Sequence, residues 1–172
     1  MKKRQTKAGR LAFVGLSAAL ALLLSYVEFL IPPVFAAVPG IKLGLPNIVI
    51  LYLLYAFGVK QAALVSCVRL FLSALLFGSV LTLAYSAAGA LLSLTLMLLL
   101  KKTDKLTPTG VSVAGGVAHN LGQVLVAMLL LETPQIAYYM IVLTLTGIVS
   151  GIFVGLSGAF VLGRLSPAIS KK

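Results

Sequence analysis

The sequence predicts an all-α integral membrane protein: a bundle of six transmembrane helices within one membrane domain, residues 1–172, with both termini cytosolic. Three observations carry that reading. Of 172 residues, 60% are apolar and only 10% charged, against roughly 45–50% and about 25% in soluble globular domains. The apolar residues gather into runs near the ~20 residues that cross a hydrocarbon core about 30 Å thick. The cations, 14 Lys+Arg against 3 Asp+Glu for a formal net charge of +11, bracket those runs instead of lining one polar surface. Nucleic acid is therefore not the expected partner of this basic chain; the lipid bilayer is.

Runs interrupted by charge, proline or polar turns place the spans at Leu11–Ile31, Leu45–Phe57, Ala62–Phe77, Val80–Leu100, Gly110–Leu131 and Ile136–Gly163. The first follows a basic stretch and has small residues near Phe35-Ala36-Ala37, as a secretory leader would. Its apolar run is longer than a leader's, so it reads as a retained span. The second and third are short and separated only by Gly58-Val59-Lys60-Gln61, which fits a helical hairpin with its tip at one face; one broken helix is the alternative. The sixth is long enough to tilt or to project beyond the bilayer.

Orientation follows from the excess of Lys and Arg in cytosolic loops. With the N-terminus inside, Lys2, Lys3, Arg4, Lys7, Arg10, Lys60, Lys101, Lys102, Lys105, Arg164, Lys171 and Lys172 are cytosolic. Lys42 then falls in an outer loop and Arg69 within a span. The cytoplasmic membrane is the expected location.

Small residues let helices approach closely in lipid. The sixth span carries Gly147, Gly151, Gly155, Ala159 and Gly163 at intervals of four, and the fifth Gly110, Ala114, Ala118 and Gly122. Both ridges are expected to pack inside the bundle. On the first span, Gly15 and Ala19, with Ala12, Ala18 and Ala21 nearby, form a small-residue surface. Internal packing and docking of another membrane subunit are both open for it.

Several chemistries are missing. Glu28, Asp104 and Glu132 are scattered over three segments, so no carboxylate pair is available to hold Mg²⁺. No phosphate-binding G-x-x-x-x-G-K-[ST] loop occurs. One His and one Cys, Cys67, leave no metal cage and no intramolecular disulfide. No catalytic residue, cofactor or metal is expected, and energy for uphill movement must come from an ion gradient or from partners.

The polar chemistry that remains is concentrated. Intramembrane ionisable groups are costly and mark sites or pathways. Arg69 shares a helical face with Ser66 and Ser73 and, being permanently charged, needs an anion: Glu28, helix-end carbonyls or a ligand. His119 and Gln123 lie one turn apart beside Asn120, three hydrogen-bonding side chains that need partners at membrane depth. Lys42 departs from the charge pattern of the other loops, and Asn47 starts the second span, where it can cap the helix or line a pocket. Tyr26, Tyr85, Tyr138 and Tyr139 are expected in the outer aromatic belt.

The order Pro39-Gly40-x-Lys42-Leu43-Gly44-Leu45-x-Asn47, then Arg69, Leu76-Phe77-Gly78-Ser79, Gly110-Val111-Ser112 and Ala118-His119-Asn120-x-Gly122-Gln123 resembles the Gx transporter family, also labelled heptaprenyl diphosphate synthase component I. That family is similar to the S components of energy-coupling-factor (ECF) importers. The resemblance implies six helices with both termini inside and a first-helix face that docks the coupling transmembrane subunit. Two ATPase subunits and a small-molecule ligand near the outer side complete the implied assembly. It places Gly15 and Ala19 on the docking face, with Gly in place of the first Ala of Ala-x-x-x-Ala. It places Lys42 and Asn47 near the ligand, whereas Glu28, Arg69, His119, Asn120 and Gln123 enter on their chemistry alone. The expected function is capture of a small anionic or amphipathic molecule, without catalysis by this chain. The alternatives are a membrane accessory of polyprenyl diphosphate or quinone synthesis and a standalone proton-coupled carrier.

Overall fold

The computed structural model describes residues 7–31, 44–132 and 134–165. Six α-helices occur among them: α1 (Lys7–Leu30), α2 (Pro46–Ala56), α3 (Val59–Phe77), α4 (Val80–Lys102), α5 (Pro108–Leu131) and α6 (Met140–Leu165), with a 3₁₀ helix at Pro134–Tyr139. Five segments are long and apolar enough to cross a membrane: four are α1, α3, α4 and α5, and the fifth runs through the 3₁₀ helix into α6. The chain is thus a multi-pass membrane protein. The exception is α2, whose 11 residues reach only about 16 Å at 1.5 Å per residue.

Local sequence sets the helix ends. Pro46 and Pro108 occupy first-turn positions, where a missing N–H costs nothing. The Ser79 and Thr107 hydroxyls accept from the N–H groups of Thr82 (3.1 Å) and Gly110 (3.2 Å), ordinary N-caps. Gly58, at φ +98°, reverses the chain between α2 and α3 with a backbone freedom that suits glycine. Helix α3 begins at Val59, three residues before the expected Ala62, because the turn needs only Phe57 and Gly58. Pro134 opens a 3₁₀ turn through Tyr139, so the long sixth run divides before α6.

Packing makes α2 the centre. It contacts α1, α3 and α6, while α4 packs on α3 and α5, and α5 on α6. Its apolar residues point in every direction, and Leu51, Leu53 and Leu54 are wholly buried among Ala62, Val65 and Val111, as expected of a helix surrounded by protein. The hairpin with α3 has the predicted form.

The glycine ridge of α6 packs internally. A Cβ at Gly151 would lie 2.6 Å from Val113 Cα, and one at Gly155 would lie 2.6 Å from Thr109 Cα. Gly116 faces the Gly147 carbonyl, so α5 meets α6 through Thr109, Val113 and Gly116, a row beside the expected Gly110–Gly122 ridge. Gly122 turns instead to Ala88 and Gly89 of α4. A Cβ at Gly163 would meet nothing within 4 Å among the described residues, and the tight contact ends before it.

The two ends of the bundle differ in charge. Phe13 of α1 stacks on Phe57 at 4.7 Å, and Lys101 at the end of α4 donates to the Leu54 carbonyl at 2.5 Å. The start of α1, the α2–α3 turn and the end of α4 therefore share one end, with Arg10, Lys60, Lys101 and Lys102. At the other end Phe77 meets Tyr26 and Phe29 at 5.6 and 5.2 Å.

Candidate functional site

The half of the bundle away from those cations encloses a cavity of about 550 Å³ bordered by all six helices. Its depth follows from the hairpin: Asn47, at the start of α2, lies beside the middle of α3, so residues further along α3 face open space. Glu28, Asn47, Arg69, His119, Asn120 and Gln123 all border this one cavity. Lys42 and the rest of 32–43 lie outside the described residues.

Arg69 is only 9% exposed. Its Nη1 donates to the Ser25 hydroxyl of α1 at 3.4 Å, and Ser25 in turn donates to the Ala21 carbonyl at 2.9 Å. Arg69 is thus tied to α1 through Ser25. Glu28, one turn further along α1, accepts from the Gly44 N–H and is close enough to attract the guanidinium electrostatically. The predicted polar face of α3 is inward, with Ser66 6% exposed and Ser73 on the cavity wall.

On α5, His119 and Gln123 press against α4: a Cβ at Gly89 would meet the His119 carbonyl at 2.7 Å and Gln123 Cγ at 3.0 Å. Only glycine lets the two helices close there. Asn120 turns the other way and donates through Nδ2 to the Leu143 carbonyl of α6 at 2.6 Å. The three neighbours divide their work, since one side chain fastens α5 to α6 and two flank α4.

Sequence reasoning missed Ser25 and the place of Tyr85. Tyr85 was expected in the aromatic belt; its hydroxyl is instead buried at the cavity. Arg69 Nε, Ser73 Oγ and Tyr85 Oη are each buried without a hydrogen-bond partner. Beneath the large cavity lies a chamber of about 30 Å³ bordered by Ser66, Ser93, Ser112 and Ser150. Gly44, Asn47, Gly116, His119 and Ser150 border both spaces.

The surface of α1 divides into two faces. Ser17, Ala21 and Ser25 are buried toward the bundle, whereas Leu11, Ala12, Gly15, Leu16 and Ala19 are exposed. A Cβ at Gly15 would meet nothing within 4 Å.

The family model described as heptaprenyl diphosphate synthase component I matches residues 17–161. The chain belongs to that family. The match runs from α1 into α6 and takes in every described residue of the cavity wall. No curated protein and no solved structure matches the chain.

Proposed function

We propose that this protein is the substrate-binding membrane subunit of an ECF-type importer and takes a small molecule into the cavity from the outer side. The observation that carries the reading is the cavity: about 550 Å³, within the roughly 300–1,000 Å³ of small-molecule sites. It holds a buried guanidinium and sits at the end of the bundle opposite the cations. The positive-inside rule makes that cation-rich end cytosolic, so the cavity opens outward in a six-crossing chain with both termini inside. Capture requires no chemistry from the chain itself, and none is assigned to it.

The exposed Gly15–Ala19 face supports assembly with a coupling transmembrane subunit and two ATPase subunits. Its small side chains leave room for a partner helix, and among the described residues a Cβ at Gly15 would meet nothing within 4 Å. Co-expression with candidate coupling and ATPase subunits, followed by pull-down and uptake measurements, tests the proposal. Gly15→Leu with Ala19→Leu is expected to break the complex and leave ligand on the isolated protein, whereas Arg69→Met is expected to do the reverse. Loss of neither property would sink the reading. Reaction of cysteines introduced at Lys60 and Tyr138, with Cys67 replaced by Ala, checks the orientation: Lys60 is to be reached only from the cytosol and Tyr138 only from outside.

The family description favours a second reading, an accessory of heptaprenyl diphosphate synthesis that works with other subunits. It predicts that a soluble synthase, and no ATPase pair, accompanies the protein in the same pull-down.

A further inference from the structure

The chamber of about 30 Å³ beneath the cavity is bordered by hydroxyls that the protein itself leaves underused. Ser66 of α3 and Ser112 of α5 are 6% and 4% exposed, and among the described residues neither hydroxyl bonds to a protein group. Both residues border the chamber and not the large cavity. The Ser73 and Tyr85 hydroxyls are closed in by protein, whereas these two remain open to a molecule of water's size. Ser93 of α4 donates to the Met97 sulfur at 3.6 Å, a weak acceptor. Ser150 of α6 donates to the Gly147 carbonyl at 3.3 Å. Each hydroxyl has one donor and two acceptor lone pairs, so all four keep capacity for a further partner.

Size and charge select what that partner is. One water molecule needs about 10–15 Å³ of space open to its centre and two to four polar partners, so the chamber has room for about two. Hydroxyls from four helices, with Asn47 and His119 at the boundary with the cavity, supply those partners. Among the described residues no Lys, Arg, Asp or Glu borders the chamber, so an ion would enter a low-dielectric space without a counter-charge. Arg69 stands one turn from Ser66 on α3, and its fixed charge opposes a metal cation there. A hydrocarbon group would leave the Ser66 and Ser112 hydroxyls buried without partners, which costs free energy. The occupant that fits is small, neutral, and both donates and accepts.

We infer that this chamber is a binding site for about two ordered water molecules, which join α3, α4, α5 and α6 through the hydroxyls of Ser66, Ser93, Ser112 and Ser150. The water is continuous with the cavity, since Asn47, His119 and Ser150 border both spaces. Toward the cation-rich end it meets Ile50, Met97 and Val154, and the wholly buried Leu53 and Leu54 lie further along α2. Water thus hydrates the floor of the cavity from beneath and, among the described residues, stops short of the opposite end of the bundle. The site needs no particular cargo and no partner subunit, so it goes beyond the importer proposal and is independent of it.

X-ray radiolysis of the full-length protein in nanodiscs, read by mass spectrometry, tests this, because hydroxyl radicals formed from bound water oxidise the side chains beside it. Met97 is the reporter: it borders the chamber and is only 6% exposed. Dose-dependent conversion of Met97 to its sulfoxide is expected. Gly115→Ala is the filling variant, since its Cβ would lie 2.6 Å from Met97 Cγ and Sδ and 3.1 Å from Ser93 Oγ, and the added methyl with the displaced thioether takes up the space. It is expected to lose the Met97 label while labelling of the exposed Tyr138 stays unchanged. Circular dichroism and melting establish that the variant folds, and Ser66→Val is the second filling variant if Gly115→Ala does not. Melting temperatures in sodium, potassium and choline chloride at equal ionic strength are expected to coincide, as a neutral occupant requires. An unlabelled Met97 in the wild type, a label that survives in a folded filling variant, or a melting temperature raised by sodium or potassium over choline would each overturn the inference. Absence of an ATPase complex removes the importer proposal and leaves these outcomes unchanged.

Discussion

Replacing Gly151 with alanine puts a methyl group where α6 touches α5 backbone. The new Cβ would lie 2.6 Å from Val113 Cα, 3.0 Å from the Ser112 carbonyl oxygen and 3.1 Å from Val113 N. None of these atoms can turn aside as a side-chain tip would. Carbon atoms in contact prefer about 3.5–4.0 Å, so the helices must separate by about 1 Å at this point. The strain spreads, because Gly147 and Gly155 also rest on α5 backbone, at Gly116 and Thr109. A radial gap of 0.5–1 Å forfeits about a quarter to a half of each van der Waals well of ~0.1–0.2 kcal/mol. Over several tens of atom pairs the loss is about 1–3 kcal/mol, the usual cost of overpacking. Better helix propensity for alanine returns up to about 1 kcal/mol. The net expectation is a destabilisation of about 1–2 kcal/mol, or roughly 2–8 °C in Tm for a chain of this size. Thermal unfolding in detergent, followed by circular dichroism, measures it. Gly15→Ala and Gly163→Ala are the controls, since a Cβ at either meets nothing within 4 Å, and both are expected to be neutral or slightly stabilising. A Gly151→Ala protein that melts within a degree of Gly15→Ala would refute the claim that α5 and α6 meet backbone to backbone.

Two further substitutions probe polar bonds between helices. Lys101→Met removes the donor to the Leu54 carbonyl and a cation 4.9 Å from the Tyr55 ring centroid; since Lys101 is partly exposed, a loss of about 1 kcal/mol in melting stability is expected, while Lys102→Met on the exposed neighbour leaves stability unchanged. Asn120→Ala removes the 2.6 Å bond to the Leu143 carbonyl, which keeps the Thr146 hydroxyl as a donor at 3.0 Å; about 0.5–1.5 kcal/mol is expected from melting curves, with ligand retained where Arg69→Met loses it.

Much of the site was legible because helical periodicity is local. Ser66, Arg69 and Ser73 share a face by spacing alone, and hydrocarbon forbids that face to point outward, so the sequence placed Arg69 and Ser73 on the inward side of α3 where they border the cavity. The same logic found His119 and Gln123. It misassigned what depends on distant packing. Tyr85 sits where an interfacial belt would lie, and only the approach of α4 to α3 and α5 carries its hydroxyl to the cavity. Lys101, read as a topology signal, also donates to a carbonyl 47 residues away, a bond that local periodicity does not show. Glu28, one of the anions open to Arg69 by sequence, does attract it, whereas the Ser25 hydroxyl that accepts from Nη1 had no signal in the spacing. Ala12, Ala18 and Ala21 appeared to extend the Gly15–Ala19 surface; the helical register sends Ala21 inward, and only the outer set is free to dock a partner.

The cavity and the shortness of α2 are one feature. Helix α2 has 11 residues and α3 has 19, a difference of eight, or about 12 Å of helix. The hairpin aligns the two at Gly58, so the whole deficit falls at the far end, inside the ring formed with α4, α5 and α6. A helix about 10 Å across and 12 Å long would fill roughly 900 Å³, of the same order as the 550 Å³ observed; side chains from the surrounding helices take up the rest. A full-length second helix would fill this space with its own leucines and leave Arg69 no room. The truncation also explains why the wall can be polar at all. Leu51, Leu53 and Leu54 fill the cation-rich half tightly, whereas among the described residues no helix fills the centre of the other half, and its inward groups border the cavity. A buried guanidinium is tolerable there only because Ser25 and the nearby Glu28 carboxylate offset part of its desolvation. What they leave without a partner is the Arg69 Nε–H, and the Ser73 and Tyr85 hydroxyls on the same wall are unpartnered too.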